Sequence, residues 1–317
     1  MPIARIVVRF RFVLLAIISG QLFLSALAAQ QVAITVDDLP SHGPLPAGTT
    51  REQVARQMLA AFQAAGLPPV YGFINAGRLE KDPQDIVVLK LWREAGQPLG
   101  NHTYTHINFN EHTVAEFEDN IVRNEDLLKQ LMGENDWHWF RYPYLWEGDT
   151  LEKRRAVRAY LKEHNYRIAQ VTLDFEDYAW NPAYARCADK KDEKAIAWLR
   201  ESYLKTASEY FDLDRKLAQQ LFGREIKHVL LLHIGAFDAQ MFPQLVALMK
   251  QKGFQFVTLE QAQADPVYQT DPDAALKNGG TLLDQMMDSR RLAYPPHAEK
   301  PLKELQQICQ DPPKAKP

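Results

Sequence analysis

The chain has 317 residues, of which 46% are hydrophobic and 24% are charged, and these are ordinary values for a globular protein. This length accommodates one large α/β domain or two smaller domains. The formal net charge of −3 gives no electrostatic basis for binding nucleic acid, and no basic patch points to a membrane surface.

Residues 1–28 have the layout of a secretory signal peptide. They contain three arginines and no acidic residue, followed by an apolar run that ends in Ala26-Leu27-Ala28, a small-x-small cleavage pattern. An uncleaved membrane anchor is the alternative, because the apolar run nearly spans a bilayer. We expect cleavage, and therefore an exported protein, periplasmic or secreted, with no stable membrane insertion.

Beyond residue 30, short apolar stretches alternate with amphipathic ones, which predicts an alternation of strands and helices. The predicted strands are 32–36, 70–74, 97–103, 137–143, 166–174, 227–235 and 254–259. The predicted helices are 50–65, 83–95, 113–132, 149–164, 192–222 and 239–252. A capping box of Thr113 and Glu116 marks one helix start, and a break is expected in the fifth helix near residues 212–214.

Seven strands separated by helices predict an α/β fold with a parallel sheet, and we favour a distorted (β/α)7-type barrel over an open sheet. Polar residues follow nearly every strand, and the active sites of such barrels lie at the carboxyl ends of the strands. The barrel domain is expected to span 29–264, with 265–317 as a C-terminal extension that packs on it or trails from it. Cys187 and Cys309 could form a disulfide, but the sequence gives no distance between them.

Candidate site residues gather at the predicted strand ends. In chain order they are Asp37 and Asp38, His102 and His106, Arg141, Asp174 and Asp177, and His233. Two histidines and one carboxylate form a three-ligand set typical of catalytic zinc, with Asp38 as the carboxylate. The spacing of His102 and His106 predicts both imidazoles on one side of a helical turn. Since successive strand residues face opposite ways, Asp37 is expected to point elsewhere and to be free as a base.

Each feature also has an ordinary structural explanation. A lone HxxxH is weak evidence for a metal site, and adjacent acidic residues often cap helices. Arg141 could form a structural ion pair, and His233 could be a buried histidine of the core. Four aromatic residues past strand ends could contact sugar rings, but packing at the barrel rim explains each of them equally well: Tyr144, Trp146, Tyr178 and Trp180. The arrival of all these residues at one end of successive strands favours a functional site.

In this order the motifs resemble those of the polysaccharide deacetylases with NodB homology, carbohydrate esterase family 4. The five motifs read TVDD at 35–38, HTYTH at 102–106, RYPY at 141–144, DFEDY at 174–178 and LLH at 231–233. The resemblance covers about residues 31–260, and the second and third motifs match fully. Val36 stands where the family has an aromatic residue, and Tyr178 replaces a tryptophan. These departures affect the expected substrate more than the expected chemistry.

The resemblance implies hydrolysis of an N-acetyl or O-acetyl group on a carbohydrate, with an acetylated glycan or oligosaccharide as the partner. It implies one divalent metal on Asp38, His102 and His106, with zinc favoured and cobalt or nickel as alternatives. In the implied mechanism, water activated by the metal attacks the acetyl carbonyl.

The same resemblance implies the roles of the remaining residues. Asp37 is the general base and Arg141 keeps it ionised, while His233 protonates the leaving group and Asp177 orients His233. The backbone N–H of Tyr144 is expected to bind the oxyanion.

Two rival functions remain open at this stage. A hydrolase of a small-molecule C–N bond on the same barrel would tend to lack the metal histidines. A catalytically silent glycan-binding protein of the cell envelope would have lost the base or the acid.

Overall fold

The structure is a computed structural model that describes residues 30–311. The strands are β1 (Gln30–Leu39), β2 (Tyr71–Ile74), β3 (Leu99–Asn101), β4 (Trp139–Phe140), β5 (Arg167–Ile168), β6 (His228–His233) and β7 (Phe254–Phe256). The helices are α1 (Arg51–Ala65), α2 (Arg78–Lys81), α3 (Ile86–Glu94), α4 (Val114–Met132), α5 (Leu151–Glu163), α6 (Trp180–Asp189), α7 (Glu193–Phe222), α8 (Ala236–Gln251), α9 (Leu259–Gln263), α10 (Leu282–Ser289) and α11 (Leu302–Gln307).

The strands form one parallel sheet in the order β5-β4-β3-β2-β1-β6, with β7 paired to the start of β1. Leu173, a few residues past β5, forms a bridge to Leu230 of β6. This bridge links the two ends of the strand order, so the sheet curls into the distorted (β/α) barrel that the sequence predicts.

The central strand β1 shows how sequence alternation places the site. Val32, Ile34 and Val36 are buried in the main core, under the helices. Ala33 instead packs in a second buried cluster with residues of β2, β4 and β6, such as Phe73. Since strand residues alternate between faces, Thr35 and Asp37 follow Ala33 on the barrel-interior side.

Most predicted helices are confirmed, including the capping box of Thr113 and Glu116 at the start of α4. The predicted break near residues 212–214 is wrong, because α7 runs unbroken from Glu193 to Phe222. Leu213 is buried against α10, so tertiary packing outweighs the poor helix propensity of the flanking acids. The predicted strand 166–174 is also too long, since its regular part is only β5, and helix α6 was not predicted.

Residues 265–311 pack on the barrel. Leu283 and Met287 of α10 share a buried cluster with Leu217 of α7. Cys187 of α6 is disulfide-bonded to Cys309, with their Cα atoms 5.2 Å apart, so the end of the extension is fixed to the helical layer. The signal peptide proposed for 1–28 lies outside the described residues, and within residues 30–311 the helices are all too short or too polar to cross a bilayer.

Candidate active site

An open cleft of about 430 Å³ lies at the carboxyl ends of the strands. Its lining includes predicted residues from all five motifs and others from α7 and the C-terminal extension. The barrel therefore brings together motif residues that are up to about 200 positions apart in the sequence, as the parallel topology predicts, and the extension adds residues that lie still further along the chain.

Asp37 and Arg141 form a buried ion pair on the inner side of β1. Both oxygens of Asp37 lie 3.2 Å from Nη1 of Arg141. Arg141 also donates through Nε to the Ala169 carbonyl at 2.7 Å and through Nη2 to the Thr35 hydroxyl at 3.1 Å. Burial raises the pKa of Asp37 to about 6, although the Arg141 charge opposes this rise.

Asp38 enters the same cleft as Asp37, which corrects the expectation that the two side chains point apart. Its φ is +68°, and the pairing of β1 with β2 shifts register between Val36 and Leu39. This local irregularity turns a side chain of the outer face into the mouth of the barrel. As a result, Nε2 of His102 lies 3.6 Å from one oxygen of each aspartate.

Asp38, His102 and His106 form a compact set of potential metal ligands. Nε2 of His102 and Nε2 of His106 lie 3.6 and 3.4 Å from Oδ1 of Asp38. That oxygen is buried and has no hydrogen-bond partner among the described residues. One ligand atom from each residue falls within 4.8 Å of the others. An orphaned carboxylate oxygen facing two imidazoles fits a divalent cation.

The protonation states also suit metal binding. Burial, and then the neighbouring His106, lowers the pKa of His102 well below its usual range, and burial lowers the pKa of His106 to about 4. Burial raises the pKa of Asp38, but His106 and His42 outweigh it and hold the pKa well below its ordinary value. The set thus offers neutral imidazoles and a charged carboxylate, the forms that bind metals. Nδ1 of His102 lies 2.8 Å from the Arg141 carbonyl, which fixes the ring with Nε2 toward the cleft.

The segment that carries the two histidines is a loop, so the predicted helical turn is wrong. Both Thr103 and His106 have positive φ, at 63° and 57°. Buried asparagines, which sequence reasoning missed, hold this loop by its backbone. Asn75 donates to the carbonyls of His102 and Thr103 at 2.6 and 2.9 Å, and Asn101 accepts from the Thr103 N–H at 2.9 Å. Side-chain hydrogen bonds thus hold the strained backbone.

His233, which lines the cleft and is partly buried, pairs with the fully buried Asp177. Nδ1 of His233 lies 2.9 Å from Oδ1 of Asp177, and the backbone N–H of His233 donates to Oδ2 at 2.7 Å. Burial lowers the pKa of His233, but the carboxylates of Asp177, Asp38 and Asp37 together outweigh burial and raise that pKa to about 10. His233 is therefore protonated at neutral pH and can act as a general acid.

Three of the four aromatic candidates lie at the cleft, and one does not. Tyr144 and Tyr178 are 52% and 41% exposed, and Trp146 lines the cleft with its ring 5.0 Å from that of Tyr144. Trp180 is fully buried, and its indole N–H donates to the Ser202 hydroxyl at 3.0 Å. The prediction of Trp180 as a sugar-contacting residue is therefore wrong, since the residue belongs to the core.

The turn that carries Tyr144 has a strained backbone. Tyr144 and Leu145 both have positive φ, at 58° and 56°. The N–H groups of Leu145 and Trp146 donate within the turn, to the carbonyls of Tyr142 and Pro143. These two groups are therefore committed to hydrogen bonds within the turn.

Sequence reasoning missed His42 and Arg78, which contact the outer oxygen of Asp38. Nδ1 of His42 lies 2.7 Å and Nη2 of Arg78 lies 3.3 Å from Oδ2. Arg51 donates to the backbone carbonyl of His42 at 2.8 Å and so fixes the loop that carries it. His42 follows Asp38 by four residues, and this closeness in sequence could have identified it as a residue of the site.

Residues 25–169 match the family model described as polysaccharide deacetylase. This part of the chain belongs to the polysaccharide deacetylase family. The matched stretch contains the first three motifs, whereas Asp177 and His233 follow it in the chain. A peptidoglycan-N-acetylglucosamine deacetylase from Bacillus cereus is 29% identical over 106 residues, covering 33% of this chain and 35% of that protein. The similarity thus spans about a third of the length of that relative.

Solved structures show a likeness to this chain in fold. A CE4 family pseudoenzyme from Bacillus anthracis has a TM-score of 0.50 at 13% identity, covering 74% of this chain and 66% of that one. A mutant of a CE4 family pseudoenzyme with restored enzymatic activity has a TM-score of 0.50 at 14% identity, covering 74% of this chain and 68% of that one. These structures support the barrel fold.

Proposed function

We propose that this protein hydrolyses acetyl groups on an acetylated glycan, with N-acetylated amino sugars such as those of peptidoglycan as the substrate class. The observation that carries the proposal is the presence in one cleft of a metal-ligand set, a buried base with its arginine, and a histidine–aspartate pair. The name of the Bacillus cereus relative supports the choice of substrate class. An O-acetyl ester is the alternative reacting group, and its leaving group would be the sugar alcohol.

Asp38, His102 and His106 would hold the metal, and zinc, cobalt or nickel suits this donor set. A divalent ion there would supply Lewis acidity to the acetyl carbonyl and would lower the pKa of water. Asp37, with a pKa of about 6, is ionised at neutral pH and takes a proton from the attacking water. Arg141 holds that carboxylate in place.

The opposite side of the cleft serves the departing group. His233, held protonated by Asp177, donates a proton to the amine or alcohol as it leaves. The backbone N–H of Tyr144 would bind the oxyanion, and the rings of Trp146 and Tyr178, which line the cleft, would contact a sugar.

We also infer that the protein is exported. The signal-like layout of residues 1–28 supports this, and so does the disulfide between Cys187 and Cys309, since such bonds persist in oxidising compartments.

The test is acetate release by the purified mature protein from a panel of N- and O-acetylated glycans. Release should be lost with a chelator and return when metal is added back. The Asp37→Asn variant should bind metal normally but release acetate about 10² to 10⁴ times more slowly. If no glycan yields acetate while metal is bound, the small-molecule hydrolase or the silent binding protein becomes the better account.

A further inference from the structure

The end of the cleft beyond His233 is lined by acidic side chains. This acidic wall consists of Asp174 and Glu176 from the loop after β5, Asp214 from α7, and Asp284 from α10, with Lys300 as its cation. If all five groups are ionised, the four carboxylates and the one ammonium give the acidic wall a net charge of −3. None of the four acids is needed for the deacetylation chemistry proposed above.

Most of these groups already have partners. Lys300 donates to Glu176 at 2.9 Å and lies 4.4 Å from the centre of the Tyr210 ring. Asp284 caps α10 by accepting from Thr281. Asp174 accepts from the backbone N–H of Glu176 at 2.7 Å. Because Lys300 is already paired with Glu176, it has little capacity to neutralise a further carboxylate of the wall.

Asp214 is the exception. It is only 4% exposed and lines the cleft, yet its Oδ2 atom has no hydrogen-bond partner among the described residues. Burial, and then the charge of Asp284, raises the pKa of Asp214 well above its usual value. Oδ2 is therefore an acceptor without a donor, and a donor that carries positive charge would both pair with it and offset the negative surroundings.

The spacing of the acids argues against a small metal ion as that donor. In the part of the chain that the structure describes, Asp38 is the only aspartate found in a set of three metal-ligand atoms within 4.8 Å, so the wall acids form no such set. A primary ammonium group fits better, because it brings one charge and three donors and needs no close shell of carboxylates.

We propose that the acidic wall is a subsite for an amino sugar whose amine is already free, next to the acetylated sugar that reacts. This rests on the proposed function and names its preferred substrate, a partly deacetylated glycan. The wall adjoins the reacting centre, because Asp174 and Glu176 lie in the same loop as Asp177, which holds His233.

The experiment compares pairs of β-1,4-linked disaccharides that share an N-acetylglucosamine unit and carry either an amine or an acetamide on the other unit, in both orders. In one of the two linkage orders, the wild type should have a kcat/KM about tenfold higher for the disaccharide with the free amine than for the one with the acetamide. The preference should shrink in about 0.5 M sodium chloride, because salt screens the charge. Asp214→Asn should remove the preference and leave kcat/KM for the acetamide form unchanged.

The matched control is Asp212→Asn, two residues away on α7, where the carboxylate is paired with Lys252 outside the cleft. It should keep the preference. Equal kcat/KM for both forms in the wild type, or a preference that survives in Asp214→Asn, overturns the subsite, and the wild-type comparison decides even if the variant fails to fold.

A binding measurement separates this inference from the proposed function. The fully deacetylated disaccharide should bind the wild type about tenfold more tightly than it binds Asp214→Asn, whether or not acetate is ever released. Absence of acetate release with intact amine binding would refute the deacetylase activity alone. Acetate release without any dependence on the amine would refute the subsite alone.

Discussion

The imidazole of His42 contacts Asp38 through Nδ1, 2.7 Å from the carboxylate oxygen Oδ2. The other oxygen, Oδ1, faces His102 and His106. His42 therefore fixes the Asp38 carboxylate through Oδ2 and leaves Oδ1 available to a metal. Residues that do not touch the metal commonly orient its ligands in this way.

We predict that His42→Ala weakens metal affinity by about 10- to 100-fold, because Asp38 loses the contact that orients it. His42→Asn, which keeps a hydrogen-bonding side chain, should restore part of the affinity. A competition titration with a chelating dye measures both, and the melting temperature serves as the control for folding. An unchanged metal affinity in His42→Ala would contradict the orienting role of His42.

His102→Ala should abolish both metal binding and acetate release, because it removes one of three ligands. Metal content of the purified protein and initial rates of release are the measurements. His164→Ala is the matched control, since His164 is exposed and lies at the end of α5, away from the cleft. The assignment of the metal site fails if His102→Ala leaves metal content and turnover intact.

The pH profile of kcat/KM should be bell-shaped. Asp37 must be ionised, so the rate should fall as the pH drops through about 6, and His233 must be protonated, so the rate should fall as the pH rises through about 10. In Asp177→Asn the carboxylate that raises the pKa of His233 is gone while burial still lowers it. The alkaline limb should therefore move to lower pH and the acid limb should stay, and an unmoved alkaline limb would contradict the role of Asp177.

The parts of the site that depend on the parallel strand topology could be predicted from the sequence. Parallel strands bring their carboxyl ends to one face, so Asp37, His102, Arg141 and His233 could be placed together without coordinates. Strand alternation failed at Asp38, because a positive φ and a register shift turn its side chain into the cleft. Such a local irregularity leaves no periodic trace in the sequence.

Other parts of the site depend on contacts between distant segments, which periodicity does not encode. Trp180 follows a strand end, like Tyr178, but helix α6 directs it into the core against α7. The acidic wall joins Asp214 to residues of the C-terminal extension, about 70 positions later. The extension could be recognised as separate from the strand–helix alternation, but its position over the cleft could not.

The contrast between Trp180 and Tyr178 is itself testable. Trp180→Ala should lower the free energy of unfolding by about 3 to 5 kcal/mol, because it empties a fully buried site. Tyr178→Ala should leave stability nearly unchanged and raise KM for the glycan, since the ring is exposed at the cleft. Denaturant unfolding and steady-state kinetics of both variants distinguish a core residue from a substrate contact. A Trp180→Ala variant with unchanged stability and a raised KM would contradict the placement of Trp180 in the core.

Removing the disulfide should destabilise the protein. The bond joins residues 122 positions apart, and replacing Cys187 and Cys309 by serine should lower the free energy of unfolding by about 2 to 4 kcal/mol. Denaturant unfolding of the wild type and the double variant, each without reductant, measures the difference. A reducing agent should bring the wild type to the stability of the variant and leave the variant unchanged, and any other outcome would count against the pairing.

The acidic wall draws Asp284 and Lys300 from a segment that supplies none of the reacting groups. Under selection, this segment can accumulate changes that retune which glycan is accepted while the base, the acid and the metal ligands stay as they are. If the proposed activity holds, adaptation of the same barrel to a new glycan would then need no intermediate that has lost its base, acid or metal ligands.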